Sequence, residues 1–309
     1  MFSSDERIAP YEFRSLKGRI IKLEPKKPEL KRVFLVIYGQ HASIERSLPL
    51  VEALSNFGTV YLADNPGFGG MQSAYKAGSK PSLDFYADHL KNVYDNYLPQ
   101  DKKVTLFAIS FGLEMANAFL DKYPQYIGRT EDVLSFVGLA SKRNLRISWR
   151  LRALLWFVCI GAQTFIGSLV YRLIMSDIFV RPFYILTMSR NPKFADVPEN
   201  QKRLIAKEQA WLWRANDIRT HAKTAWDFLF FTDQTNLRIA ASVTHVGVPR
   251  DHLLDNTSVI EDLKKIYKEV VHYELDLPAH APISFETESA VLDLIPDKLE
   301  KHLKISENK

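Results

Sequence analysis

The turn at Ser110 constrains this chain more than any other feature, because a strand runs there directly into a helix. The apolar run 104–109 is typical of a buried parallel strand, and apolar residues recur at helical spacing over 115–120. Ala108 and Gly112 flank Ser110 at two positions on either side, as so sharp a turn requires. This nucleophile-elbow pattern predicts a hydroxyl at the tip of a strand, above a helix N-terminus that favours negative charge.

The chain length suits one large α/β domain with an insertion, or two modest domains. Cys159 is the only cysteine among 309 residues, which excludes an internal disulfide and a Cys-cluster metal site. The N-terminal stretch carries charges where a signal peptide needs an unbroken apolar core. We therefore expect a cytoplasmic protein.

Strands and helices alternate along the first 140 residues. Residues 11–24 predict a β-hairpin, and a helix is expected around 48–56, with a second one capped by Ser82. Apolar runs at 33–38, 59–63 and 133–139 predict further buried strands. Such alternation implies a mostly parallel, doubly wound sheet with helices on both faces.

The alternation stops after residue 140. Residues 141–236 read as mostly helical and rich in Trp, Phe and Arg, and strand character resumes at 240–246. A helix over about 258–267 and a strand over 270–275 follow, with a last helix from about Phe285. We therefore predict a core made of residues 1–140 and 237–309, with a helical lid or cap inserted at 141–236.

A serine hydroxyl needs a base to become a nucleophile, and the base needs an acid to hold it. His280 is the histidine predicted in the loop after the last strand, where the carboxyl ends of parallel strands converge with Ser110. His41, also near this edge, is expected to shape the entrance. Asp251 and Asp255 both follow the 240–246 strand and are the two candidate acids, and Asp255 could instead cap the helix that follows.

The chain resembles the α/β-hydrolase superfamily over nearly its whole length. The resemblance rests on five motifs at strand ends: YGQHAS, DNPGFGG, AISFG, PRDHLLD and LPAHAP. The chain order Ser110, Asp251, His280 is the order which that superfamily uses. The resemblance implies that the acid is the first residue of an Asp-x-apolar-apolar pattern, as in Asp251. It also implies an oxyanion hole made by the backbone N–H groups of Gln40 and Phe111.

The sequence departs from the family at Tyr38, where the family often has histidine before the glycine of the oxyanion loop. The turn from Asp64 to Gly70 has no catalytic role in this interpretation, since its glycines and proline set the turn.

The predicted function is hydrolysis of a carboxylic ester of an apolar acyl substrate through an acyl-enzyme. The same triad could serve a thioesterase or a hydrolase of carbon–carbon bonds. A non-catalytic ligand-binding protein on the same scaffold is the alternative from another class. Serine as the nucleophile disfavours the aspartate chemistry of dehalogenases and epoxide hydrolases, and the mechanism calls for neither a cofactor nor a metal ion.

The inserted segment carries most of the positive charge. Residues 141–230 hold about 15 basic and about 6 acidic residues, although the whole chain has a formal net charge of only +5. Residues 153–171 contain no charge, but a single crossing would place the flanking strands on opposite sides of a membrane. We expect a lid lining an acyl pocket, and as a second hypothesis peripheral contact with an anionic membrane. Nucleic-acid binding is not expected, because the basic residues are interleaved with apolar ones.

Overall fold

The computed structural model describes residues 5–190, 197–249, 251–275 and 287–305. Eight strands form one sheet in the order β1-β2-β4-β3-β5-β6-β7-β8. Strands β1 and β2 form the predicted hairpin. Strand β2 pairs antiparallel with both β1 and β4, and strands β3 to β8 pair parallel with one another. The strands are β1 Ile8–Phe13, β2 Leu16–Leu23, β3 Arg32–Ile37, β4 Gly58–Ala63, β5 Val104–Ile109, β6 Thr130–Phe136, β7 Ile239–Gly247 and β8 Tyr267–Glu274.

The continuous apolar strands lie at the centre of the sheet, as their sequence predicts. Every residue of β3 is buried, because helices cover both faces of the sheet. The register aligns Val36 with Phe107, Phe107 with Leu134, and Leu134 with Thr244. The carboxyl ends of β3, β5, β6 and β7 therefore lie side by side along one edge.

Three helices alternate with the first strands, namely α1 Ile44–Leu54, α2 Leu83–Tyr97 and α3 Gly112–Lys122. Helix α2 begins where the sequence predicted, with the Ser82 hydroxyl accepting a hydrogen bond from the N–H of Phe85. Helix α1 begins earlier than predicted, because the Ser43 side chain caps it by accepting from the N–H of Arg46. Pro49 lies inside this helix.

Between β6 and β7 the described chain forms helices and no named strand. These helices are α4 Trp149–Gln163, α5 Phe165–Ile174, α6 Asp177–Ser189, α7 Glu199–Ala215 and α8 Ile218–Phe230. In the described ranges, no single helix is both long and apolar enough to cross a membrane, although α4 and α5 together pass that test with a 110° bend between them. The role of this segment as a lid stays a prediction.

Three helices complete the described chain, namely α9 Asn256–Ile266, α10 Glu288–Leu292 and α11 Asp297–Lys304. Helix α9 joins β7 to β8, as predicted. The start predicted for the last helix, Phe285, lies outside the described residues.

Candidate active site

Ser110 occupies the sharp turn between β5 and α3. Its backbone φ of 51° lies in the left-handed region, which residues with a side chain rarely adopt. Two hydrogen bonds hold the turn: the N–H of Ser110 donates to the carbonyl of Phe136 over 3.0 Å, and its carbonyl accepts from the N–H of Leu113 over 3.0 Å. Such strain persists only where the surroundings impose it, and it is characteristic of functional sites.

Two glycines let neighbouring backbone approach this turn. A Cβ on Gly112 would lie 2.1 Å from the carbonyl oxygen of Ile37, so any side chain there would push α3 away from β3. A Cβ on Gly39 would lie 3.1 Å from the Cβ of Ser110 and 3.3 Å from the backbone nitrogen of Phe111. The loop that contains Gly39 and Gln40 therefore lies directly beside Ser110 and Phe111.

Asp64, at the carboxyl end of β4, holds both ends of this loop. Its Oδ1 accepts from the Tyr38 hydroxyl over 2.9 Å and from the N–H of Ile44 over 3.0 Å. Its Oδ2 accepts from Arg19 and from the N–H of Gly70. Burial raises the pKa of Asp64, and Arg19 and the Gly70 N–H oppose that rise.

Tyr38 therefore supports the loop where the resembled family often has histidine. From the sequence alone, Asp64 is assigned only to a turn, and its support of the loop is not predicted. The position of Asp64 directly after a buried strand could have indicated this role, because a buried carboxylate needs hydrogen-bond partners.

Helices α7 and α8 contact the same loop from the other side. The Gln40 amide donates to the Thr224 hydroxyl on α8. His41, which has a φ of 55°, packs against Trp213 of α7 with ring centroids 4.3 Å apart. The turn between α7 and α8 is also fixed, since the N–H of Asp217 donates to the carbonyl of Gly67 over 2.8 Å. Any reorganisation of α7 and α8 would therefore displace the loop that contains Gly39 and Gln40.

Both ring nitrogens of His41 have partners, which fixes its protonation. Asn216 Oδ1 accepts from the N–H of Gly69 over 2.8 Å, so its Nδ2 must face His41 Nδ1, 3.3 Å away, as a donor. Nε2 then carries the proton and donates to Gln209 Oε1 over 3.2 Å. Burial, with His221 and Arg46 nearby, lowers the pKa of His41 well below its usual value. A neutral imidazole with no free lone pair is poorly suited to be the base.

Asp251 and Asp255 lie in different environments. Asp251 is 1% exposed in the turn after β7, and its Oδ1 accepts from the N–H groups of Leu253 and Leu254 over 2.8 and 3.0 Å. Asp255 is half-buried and forms an ion pair with Arg146 at 3.3 Å. It occupies the N-cap position of α9 without a side-chain capping bond. Backbone N–H groups therefore hold the buried carboxylate of Asp251 in place, whereas Asp255 is held by an ion pair near the surface. The catalytic role of either residue stays a prediction.

His280, the predicted base, lies outside the described residues. The last described residue before it is Leu275, whose N–H donates to the carbonyl of Gly247 over 2.9 Å. The neighbouring strand end is tied in the same way, by the N–H of Val137 donating to the carbonyl of Val246 over 2.9 Å. Ser110, Asp251 and Leu275 therefore all follow strands that end on one edge of the sheet, and His280 comes five positions after Leu275.

Histidine, cysteine and aromatic side chains outside the proposed triad are in part buried and in part exposed. His89 and His245 are buried, and burial lowers the pKa of each to about 3. Cys159 is buried as an apolar filler. Trp226 packs against Trp156 and against Phe231, although Phe231 is 62% exposed. Within the described ranges, no three His, Cys, Asp or Glu side chains are grouped to hold a metal ion.

Glu114, one helical turn after Ser110, should make stability depend on pH. It is fully buried, and burial raises its pKa well above the usual value, with Thr232 opposing the shift. Between the unfolded and folded pKa values the native state keeps a proton that the unfolded chain releases, so stability falls as pH rises. We expect Glu114→Gln to remove a slope of up to about 1.4 kcal/mol per pH unit from the free energy of unfolding. Urea unfolding from pH 5 to 8 measures it, with exposed Glu261→Gln as control, and an unchanged slope in Glu114→Gln would contradict the assignment.

Comparison with known proteins identifies the fold. No family model matches the chain, and neither does any curated protein. Among solved structures, a mutant N-acyl homoserine lactonase AidH complexed with N-hexanoyl homoserine is 14% identical with a TM-score of 0.66, covering 98% of each chain. Epoxide hydrolase CorEH is 12% identical with a TM-score of 0.67, covering 96% of this chain and 97% of its own. A thermophilic esterase from Thermogutta terrifontis is 15% identical with a TM-score of 0.61, covering 96% and 98%. The protein has the α/β-hydrolase fold, which confirms the fold predicted from the five motifs.

Proposed function

We propose that this protein is a serine hydrolase that cleaves carboxylic esters of apolar acyl groups. The observation that carries the proposal is the strained backbone of Ser110, held between β5 and α3 beside the loop at Gly39. Two of the similar structures are a lactonase and an esterase, and both names denote hydrolysis of an ester bond. The third is an epoxide hydrolase, but serine at the elbow favours acyl transfer over attack by an aspartate.

The proposed reaction has two halves. His280 takes the hydroxyl proton of Ser110 as Oγ attacks the carbonyl carbon, and the N–H groups of Phe111 and Gln40 stabilise the oxyanion. The C–O bond to the alcohol then breaks, with His280 returning the proton to the leaving oxygen. Water, deprotonated by His280, cleaves the acyl-enzyme and releases the acid and free Ser110. Asp251 orients the imidazole and stabilises its charged form.

Three measurements on the purified protein test this proposal. We expect hydrolysis of p-nitrophenyl esters, with kcat/KM rising from acetate to medium-chain acyl groups as more apolar surface is buried. A matched acyl thioester assay addresses the thioesterase alternative, and the proposal requires the oxygen ester to be the better substrate. A fluorophosphonate probe should label the protein at the Ser110 peptide, as mass spectrometry would show. Absence of both labelling and ester turnover would favour a non-catalytic binding protein.

A further inference from the structure

Helices α4, α5 and α6 present a large apolar surface to solvent. Sixteen of the twenty-one large apolar side chains that are exposed in the described chain lie between Trp149 and Leu186. Phe165, Ile166 and Ile178 are each about three-quarters exposed. Soluble monomers rarely expose contiguous apolar surface of more than a few hundred Å². We call this surface, from Trp149 to Leu186, the apolar face.

The internal packing of α4 uses mainly small side chains and leaves most of the apolar face uncovered. Helix α4 turns Cys159 and Ala162 inward, and its Trp156 packs against Trp226 of α8 with ring centroids 5.6 Å apart. Contacts with the oxyanion loop and with the turn at Gly67 come from α7 and α8. The rest of the apolar face therefore stays exposed after α4 has packed on α8.

The length of α4 and the bend between α4 and α5 suit helices that lie on a membrane surface rather than helices that cross the membrane. Helix α4 has 15 residues, about 22 Å at 1.5 Å per residue, which is shorter than the hydrocarbon core of about 30 Å. Helix α5 turns away from it by 110° at Thr164, whose hydroxyl caps α5 by accepting from the N–H of Gly167 over 3.0 Å. A Cβ on Gly167 would lie 1.8 Å from the carbonyl oxygen of Gly161, so the bend depends on glycine there.

The charges on these helices favour an anionic lipid surface over a protein partner. Residues 149–190 contain five arginines and one aspartate, a net charge of about +4. Arg150, Arg172 and Arg190 are exposed, and none of them forms an ion pair with another described residue. Tryptophan, such as exposed Trp149, is enriched at the membrane–water boundary. Wide apolar exposure combined with unpaired arginines is the pattern of helices that lie in the interface of an anionic bilayer.

We propose that α4, α5 and α6 insert the apolar face into the interfacial layer of a bilayer containing anionic phospholipid, with the helices parallel to the membrane plane. The exposed arginines contact the lipid headgroups. The sheet and the Ser110 turn stay outside the bilayer, so the proposal does not depend on the chemistry at that site.

Vesicle flotation of the full chain tests the proposal. We expect wild type to float with vesicles of phosphatidylcholine and phosphatidylglycerol at 7:3 in low salt, and to bind pure phosphatidylcholine at least about tenfold more weakly. Phe165→Asp/Ile166→Asp should lower partitioning by at least about tenfold, because two charges would enter the apolar layer. Ile305→Asp, at an exposed apolar residue outside the apolar face, should leave it unchanged.

A second pair of variants isolates the charge contribution. Arg172→Glu should weaken binding to anionic vesicles about fivefold or more, and the difference should shrink in 0.5 M salt. Lys298→Glu, on α11, is the matched control. Circular dichroism and gel filtration accompany each variant. The proposal fails if wild type does not float at low salt, if the Phe165 and Ile166 variant floats as well as wild type, or if that variant only converts a dimer of this chain into a monomer.

Discussion

Replacing the Ser110 hydroxyl is expected to abolish ester hydrolysis while leaving the fold intact. Ser110→Ala removes the nucleophile of the proposed reaction, and loss of such a residue typically lowers kcat by about 10⁴-fold or more. Ala keeps the Cβ and the left-handed backbone that the turn already tolerates, with a φ of 51°. We therefore expect the free energy of unfolding to change by less than about 0.5 kcal/mol. Steady-state kinetics and urea unfolding on the same preparation measure both quantities.

Ser110→Gly separates strain from chemistry at the same position. Glycine accepts a positive φ without steric cost, so this variant should be more stable than Ser110→Ala by about 1 kcal/mol. The greater conformational freedom of glycine in the unfolded chain reduces this gain. It should be equally inactive. Ser189→Ala, on the exposed end of α6, is the control and should retain wild-type kcat. Substantial esterase activity in either Ser110 variant would contradict the assigned nucleophile.

The sheet was predictable because its signals are local. The run 104–109 is apolar except for Thr105 since both faces of β5 are covered, and the small residue at Gly112 reflects one close backbone contact. Strand bounds were less predictable, as β6 shows: it occupies Thr130–Phe136 rather than 133–139, because Val137 already leaves the strand with a φ of 42°. An apolar run does not show where the backbone bends, because the residues on both sides of the bend are apolar.

The surroundings of the site were less predictable because they depend on contacts distant in sequence. Gln40 meets Thr224 and His41 meets Gln209, pairs separated by more than 160 positions. Hydrophobic periodicity reports only on neighbouring residues, so it does not predict contacts between such distant positions. The uncharged stretch 153–171 was similarly ambiguous, since only the 110° bend at Thr164 shows that it forms two helices. The composition of this stretch predicted that it is apolar, but not whether its side chains are buried or exposed.

The two halves of the inserted segment have different environments in the structure. Helices α7 and α8 contact the loop at Gln40 and His41 through Trp213 and Thr224, while α4 to α6 carry the apolar face. Helix α8 also packs on α4 through Trp226 and Trp156. If the apolar face binds a bilayer as proposed, this packing connects the lipid-contacting helices to the loop beside Ser110.

Asp64→Ala is expected to cost both stability and activity, because this one carboxylate fixes the oxyanion loop at both ends. The variant removes the acceptor of the Tyr38 hydroxyl and of the Ile44 N–H, and it leaves Arg19 with Glu45 as its remaining partner. Breaking a buried charged pair from one side typically costs about 3–5 kcal/mol. We expect a loss of about 3 kcal/mol in the free energy of unfolding, since Arg19 is partly exposed and keeps Glu45.

The activity of the same variant reports on loop position rather than on folding alone. Under conditions where Asp64→Ala remains folded, kcat should fall by about 10²-fold with little change in KM, because a displaced oxyanion donor weakens only the transition state. Tyr38→Phe removes one of the two bonds at Oδ1 and should show a smaller loss of the same kind. Asp101→Ala, at an exposed loop residue, is the control. A destabilised Asp64→Ala protein with wild-type kcat would show that the carboxylate supports the fold but does not position the loop, and the assignment of the Gln40 N–H to the oxyanion hole would lose its structural basis.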